Sequence, residues 1–96
     1  MGEVRFDWDR RKASSNEKKH GVSFEEAQSV FFDEQALLLE DTQPRHEEER
    51  FVLLGLSASL RILVVIHALR EADVIRIISA RNATHLEKRE YEIRLS

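Results

Sequence analysis

Two arginines interrupt an apolar run near the C-terminus: Arg76 and Arg81, within and just after Val74–Ala80. Charged side chains in such a run need a reason. A guanidinium keeps its charge and grips an oxyanion through two parallel N–H groups, so it suits phosphate or developing negative charge. Positions 76 and 81 point to opposite faces of a regular strand. Either the strand ends before Arg81, or only one of the two faces a site. The plainer alternative is an ion pair for each, with Glu49 or Glu92 as partner. His67 sits near the end of the preceding apolar run and shares parity with Leu63, Val65 and Leu69. An imidazole there could move a proton near neutral pH, or be a half-buried structural histidine. Glu49 and Arg50 open another strand-like run, where Glu49 could act as a general base and Arg50 as a phosphate clamp. Lys19 and His20 lie at a turn between two helices. They could contact an anionic ligand, complement a helix dipole or fix the turn.

Other chemistries find little support. There is no cysteine, which removes disulfides, thiolate metal ligands and a thiol nucleophile. His20, His46, His67 and His85 lack metal-ligand spacing, so no metal or other cofactor is expected. No glycine-rich phosphate loop is present. Asp7 and Asp9 flank Trp8, but they read better as a strand end and a helix N-cap than as a carboxylate pair. Trp8 reads as core rather than as a base-stacking surface.

The bulk numbers bound the class. The chain has 96 residues, 42% hydrophobic and 34% charged, so one globular domain is expected and disorder is not. The net charge is −3, made of −5 over residues 1–50 and +2 over residues 51–96. Nucleic-acid binders are usually basic, so an anionic ligand is expected only at a local patch, and the acidic half suits a basic partner. The longest apolar run, Ile62–Ile66, is far too short to span a membrane. The first residues lack an apolar signal core. A cytoplasmic protein with no membrane association is expected.

These residues must be positioned by regular elements. Val4, Phe6 and Trp8 alternate with polar residues and predict a first strand. Asp9 caps a polar helix over Arg10–Lys19, which Gly21 ends. Ser23-Phe24-Glu25-Glu26 is a capping box opening a second helix, with Phe24, Ala27, Val30 and Phe31 facing the core and an end at Asp33–Gln35. Ala36–Leu39 reads as a strand and Asp41–Glu49 as an exposed, mobile polar loop. Three strand-like runs follow, Arg50–Ser57, Arg61–Leu69 and Val74–Arg81, with hairpin-length breaks that predict an antiparallel meander. The run from Arg61 is apolar on both faces and should be central. Thr84-His85-Leu86-Glu87 is a second capping box, opening a helix to about Arg94 with Leu86, Tyr91 and Leu95 spaced to touch the sheet. The order is β-α-α-β-β-β-β-α, an α+β domain with helices on one face of the sheet.

Four stretches carry a family pattern: Phe6-Asp7-Trp8-Asp9 with Lys12-Ala13; Asn16 with Lys19-His20-Gly21-Val22-Ser23-Phe24-Glu25-Glu26-Ala27; Glu49-Arg50-Phe51 with Gly55; and Arg76-Ile77-Ile78-Ser79-Ala80-Arg81. Glu87, Arg89 and Tyr91 continue it. Together they resemble the BrnT toxin family, over Phe6 to about Glu92. The resemblance implies a RelE-like fold, metal-independent endoribonuclease activity that arrests growth, and a cognate BrnA-like antitoxin with a ribbon-helix-helix part. Operator DNA would be contacted only through that antitoxin. A homodimer is a further expectation for the free toxin. On this reading His67, Arg76, Arg81, Glu49 and Arg50 are the candidate catalytic residues, and Lys19 and His20 the candidate RNA contacts. Two other readings fit the same sequence. One is a binding module that docks a partner as co-repressor. The other is an inactive family member that keeps only the antitoxin contact.

Overall fold

The computed structural model describes residues 4–40 and 49–95, with the backbone alone of Glu40. The acidic segment expected as a loop, with Pro44, His46, Glu47 and Glu48, lies outside the described residues. Five strands and three helices follow in the expected order: β1 Arg5–Asp7, α1 Arg10–His20, α2 Phe24–Ser29, β2 Leu37–Glu40, β3 Phe51–Leu56, β4 Ile62–Arg70, β5 Val74–Asn82 and α3 His85–Leu95. The second helix is shorter than its pattern suggests, because the chain tightens into a 3₁₀ turn at Val30–Phe32.

Local chemistry explains the boundaries. The Asp9 carboxylate accepts from the amides of Arg11 and Lys12, satisfying donors that the first turn of α1 leaves free. Gly21 ends α1 at φ 70°, a left-handed conformation that glycine adopts without a Cβ clash, and its amide donates to Glu17 O. Ser23 Oγ accepts from the Glu26 amide, but the Glu26 side chain does not complete a capping box. It turns instead to Arg61 and Ser57. At α3 the box closes in both directions between Thr84 and Glu87.

The sheet runs β1-β5-β4-β3-β2, with β4 in the middle. Strands β2 to β5 form the expected antiparallel meander. The first strand closes the sheet by pairing parallel to β5, with Phe6 beside Ile75 and Asp7 beside Arg76. Both faces are covered, so the expectation of helices on one face is corrected. One face holds Leu53, Leu63, Val65, Ile77 and Ala80 against Val22, Phe24, Ala27 and Val30 of α2 and its flanks. The other holds Leu54 and Val64 against Ala83 and Tyr91, which brings α3 to the opposite side. Of the three α3 residues expected at the sheet only Tyr91 is buried. Leu86 is 77% exposed and Leu95 52% exposed.

Three polar clasps tie these layers together. Asn16 is the first. It donates from Nδ2 to Ala80 O (2.8 Å) and Val22 O (3.0 Å) and accepts at Oδ1 from Ala80 N (3.0 Å). A side-chain amide thus makes the pair of bonds that a neighbouring strand would make at the edge of β5. In the second, Asp33 accepts from Leu56 N, Gln35 N and the Tyr91 hydroxyl. Burial opposes its ionisation, yet these three donors hold its pKa below the ordinary range. Burial and the neighbouring Asp33 carboxylate push the Tyr91 hydroxyl up to about 12. Glycine is required at 55 for the same clasp, since a Cβ would lie 2.8 Å from Ala36 Cβ and 3.1 Å from Asp33 Oδ2. The third joins Arg61 to Glu26 and to Gly21 O, fastening the β3–β4 turn to α2.

Candidate functional site

The pairing of β4 with β5 decides where the arginines go. Ile66 pairs with Ser79 and His67 with Ile77, so Ile78 is an extra residue in β5. Such a bulge resets the alternation of side chains along its strand. Arg81 pairs with Val64, whose side chain packs in the α3 face. Arg76 pairs with Ala68, four residues along β4 and therefore on the same face. The regular-strand expectation that 76 and 81 oppose each other is corrected by one inserted residue. Their backbones stand about 13 Å apart along the strand, the rise of four residues. They would therefore meet neighbouring groups of an extended ligand more readily than one phosphate.

Each arginine is held by a carboxylate, though by neither Glu49 nor Glu92. Arg76 Nη1 lies 3.2 Å from Asp7 Oδ1, across the β1–β5 pair. Arg81 makes two bonds to Glu87, Nη1–Oε1 at 2.8 Å and Nη2–Oε2 at 3.0 Å, and a third to Asn82 O. Glu87 also accepts from Thr84 N, so the N-terminus of α3 and Arg81 share one anchor. The Arg81 hydrogen bonds pull the Glu87 carboxyl down to about 2, against the opposing effect of burial. Because its folded-state pKa is depressed, the pair stabilises the fold above the ordinary carboxyl value of 4.5, and this is lost as pH falls towards about 2. Both side chains are partly exposed, so solvent screening reduces the effect. Glu87→Gln is expected to lower the urea midpoint at pH 7, with the gap to the parent narrowing between pH 4.5 and 2. A gap independent of pH would show that charge at Glu87 contributes nothing.

Arg50 adjoins this face. Phe51 pairs with His67, and continuing that register by one residue sets Arg50 opposite Ala68, whose other neighbour is Arg76. Its Nε is buried without a hydrogen-bond partner. Glu49 is exposed immediately before it. His67 goes elsewhere. It is 3% exposed and on the α2 face, its ring 4.8 Å from Phe31 and 5.9 Å from Phe51, centroid to centroid. Burial holds its pKa below the usual imidazole value, and its Nδ1 has no partner. The structure brings Arg50, Arg76 and Arg81 to one face and leaves His67 behind the sheet from them.

Lys19 and His20 lie in a second feature. With Arg11, Lys12, Ser15 and Asn16 of α1, and Ile78 and Ser79 of β5, they line a groove of about 310 Å³. Trp8 packs edge-on against Phe24 in the core, as expected. Sequence reasoning missed Asp7 and Glu87 as arginine partners, and Arg11 and Lys12 as groove residues. For the last two the 11/15/19 and 12/16/20 spacing on α1 was an available signal. Among the described residues no three His, Asp or Glu side chains gather as a metal site. No helix among them is long and apolar enough to cross a membrane.

Comparison with known proteins places this geometry. The profile of the family described as "Ribonuclease toxin, BrnT, of type II toxin-antitoxin system" matches residues 8–87. The chain is similar in fold to the Brucella abortus ribonuclease toxin BrnT, known from a 1.1 Å crystal structure. The TM-score is 0.65 at 24% identity, covering 86% of this chain and 100% of that one. No curated protein matches.

Proposed function

The chain belongs to the BrnT family of ribonuclease toxins of type II toxin–antitoxin systems, and on that premise we propose that it is a metal-independent endoribonuclease of the cytoplasm. The observation that carries this reading is the bulge at Ile78, which turns Arg76 and Arg81 to one sheet face, beside Arg50. Cleaving RNA without a metal needs the 2′-hydroxyl deprotonated, the leaving 5′-oxygen protonated and the charge on the pentavalent phosphorus stabilised. Arg76 and Arg50, neighbours across Ala68, take the reacting phosphate. Arg81, held by Glu87, takes the phosphate beside it. Glu49 stands next to Arg50 and is the carboxylate offered as general base for the 2′-hydroxyl, with water supplying the proton to the leaving 5′-oxygen. Lys19 and His20 contact the RNA outside the reacting centre. His67, buried on the opposite face of the sheet, is given no step.

A cognate antitoxin, BrnA-like with a ribbon-helix-helix part, is proposed as the protein partner, with operator DNA reached only through it. Supporting a protein partner is an apolar hollow of about 350 Å³ lined by Val4, Phe6, Phe31, Phe32 and Ile75. Phe32 there is 73% exposed, a degree of apolar exposure that a partner, or a second copy of the free toxin, would relieve.

Induced expression in a bacterial host tests the reading. The parent chain is expected to arrest growth and Arg81→Ala, shown to be folded, to relieve the arrest. Normal growth with the parent, at comparable protein levels, would favour a partner-binding module instead.

A further inference from the structure

We infer that the groove between α1 and the outer edge of β5 is a binding track for the phosphate backbone of single-stranded RNA, formed by Arg11, Lys12, Ser15, Lys19 and Ser79 beside His20. The inference rests on the ribonuclease reading for the identity of its ligand and goes beyond it in assigning the site and the form of RNA.

The position of the groove follows from how β5 is covered. The first strand pairs only with Val74–Arg76, and Asn16 caps the backbone at Ala80. Ile78 and Ser79 lie between these two covers and form one wall. The other wall is α1. Arg11, Ser15 and Lys19 recur every four residues, as do Lys12, Asn16 and His20, so two adjacent rows of the helix face the gap. Each step of four residues rises about 6 Å along the helix. The row of Lys12, Asn16 and His20 is anchored through the bonds of Asn16 to the Ala80 backbone.

Charge sets the ligand class. Among the described residues no carboxylate lines the groove. Among the described residues, none of Arg11, Lys12 and Lys19 forms a salt bridge with a carboxylate. Asp9, at the start of α1, accepts from the amides of Arg11 and Lys12, and its charge also interacts with that of Lys12. In a chain of net charge −3, gathering three cations and a histidine along one groove costs self-repulsion that an anion would relieve. Lysine, arginine and serine contact phosphates without reading bases. Among the described residues the lining holds no aromatic ring other than His20, so stacking on a base platform is not its mode. A helix of 11 residues, about 16 Å long, accommodates one extended strand better than a duplex.

Binding of a fluorescent 2′-O-methyl RNA 12-mer, which resists cleavage at the 2′ position, tests the inference by anisotropy across a salt series. Glutamine keeps helix propensity and length, so the variant is Arg11→Gln/Lys12→Gln/Lys19→Gln. Its control is Lys18→Gln, exposed on the same helix and outside the groove. The triple variant is expected to bind roughly 10- to 100-fold more weakly near 0.1 M salt, with the slope of log affinity against log salt shallower by about 2. The control should change neither. With cleavable RNA, KM should rise while kcat at saturation stays near the parent value. Unchanged affinity and slope in the triple variant would overturn the inference. So would an equal loss in the control, or a parent groove that binds a poly-glutamate peptide and not the RNA. The catalytic proposal fails separately, if the parent binds RNA through this groove and leaves cleavable RNA intact.

Discussion

Replacing Arg76 by alanine is expected to lower kcat for RNA cleavage by about 100- to 1,000-fold, the loss typical of removing one preorganised donor from a developing negative charge. The protein should stay folded. The Arg76–Asp7 pair is partly exposed, with a single contact at 3.2 Å, and a pair of that kind contributes roughly 0–1 kcal/mol. Arg76→Lys separates charge from shape. It keeps the cation but loses the planar fork, so it should recover only part of the rate. Single-turnover cleavage, with enzyme in excess of the RNA and of Kd, reads the effect on the chemical step. If the alanine variant is folded and cleaves like the parent, Arg76 is only a clasp between β1 and β5.

The largest effect on stability is expected at Asn16. Alanine there leaves three backbone groups without their partner: Ala80 N–H, Ala80 C=O and Val22 C=O. Asn16 is buried, and an unsatisfied buried polar group costs about 1–3 kcal/mol. Some water will enter, so a total of about 3–5 kcal/mol is expected, against roughly 5–15 kcal/mol for a whole domain. A loss of 3 kcal/mol would lower Tm by roughly 12–24 °C. Asn16→Asp sharpens the test. Its carboxylate can still accept from Ala80 N–H but sets negative charge against two carbonyl oxygens, so it should be no better than alanine. Thermal unfolding by circular dichroism measures both. A fall of less than about 4 °C for Asn16→Ala, roughly 1 kcal/mol or less, would mean that α1 docks without this clasp.

Features set by a few neighbouring residues were legible in the sequence. The meander follows from alternation and short breaks over residues 50–81. The start of each helix follows from Asp9, Ser23 and Thr84, and the end of α1 from Gly21. Features set by pairing across the chain were not. Nothing within Val74–Asn82 marks Ile78 as the inserted residue, because a bulge is defined only against a partner strand, here β4. The faces of Arg76 and Arg81 therefore followed the regular-strand rule and came out opposed. Pairing of β1 with β5 joins residues some seventy positions apart, and with it goes the contact of Asp7 with Arg76. Asn16 lies in a polar stretch whose composition suggests a solvated helix, yet a long-range backbone contact buries it. Glu26 shows the reverse case. A local capping rule predicted its side chain, and Arg61, thirty-five residues away, took it instead. His67 shares the α2-face parity of Leu63 and Val65, which the sequence displayed, but the phenylalanines that enclose it come from two other segments.

The proposed arginine face cleaves RNA through the 2′-hydroxyl without a metal. Its most direct test incubates the purified chain with a 5′-labelled RNA in EDTA and analyses the ends of the products. Attack by the 2′-oxygen must leave 2′,3′-cyclic phosphate on one fragment and a 5′-hydroxyl on the other, and those ends are expected at full rate in EDTA. Intact RNA, cleavage that returns only when a divalent cation is restored, or fragments ending in 3′-hydroxyl and 5′-phosphate would contradict it.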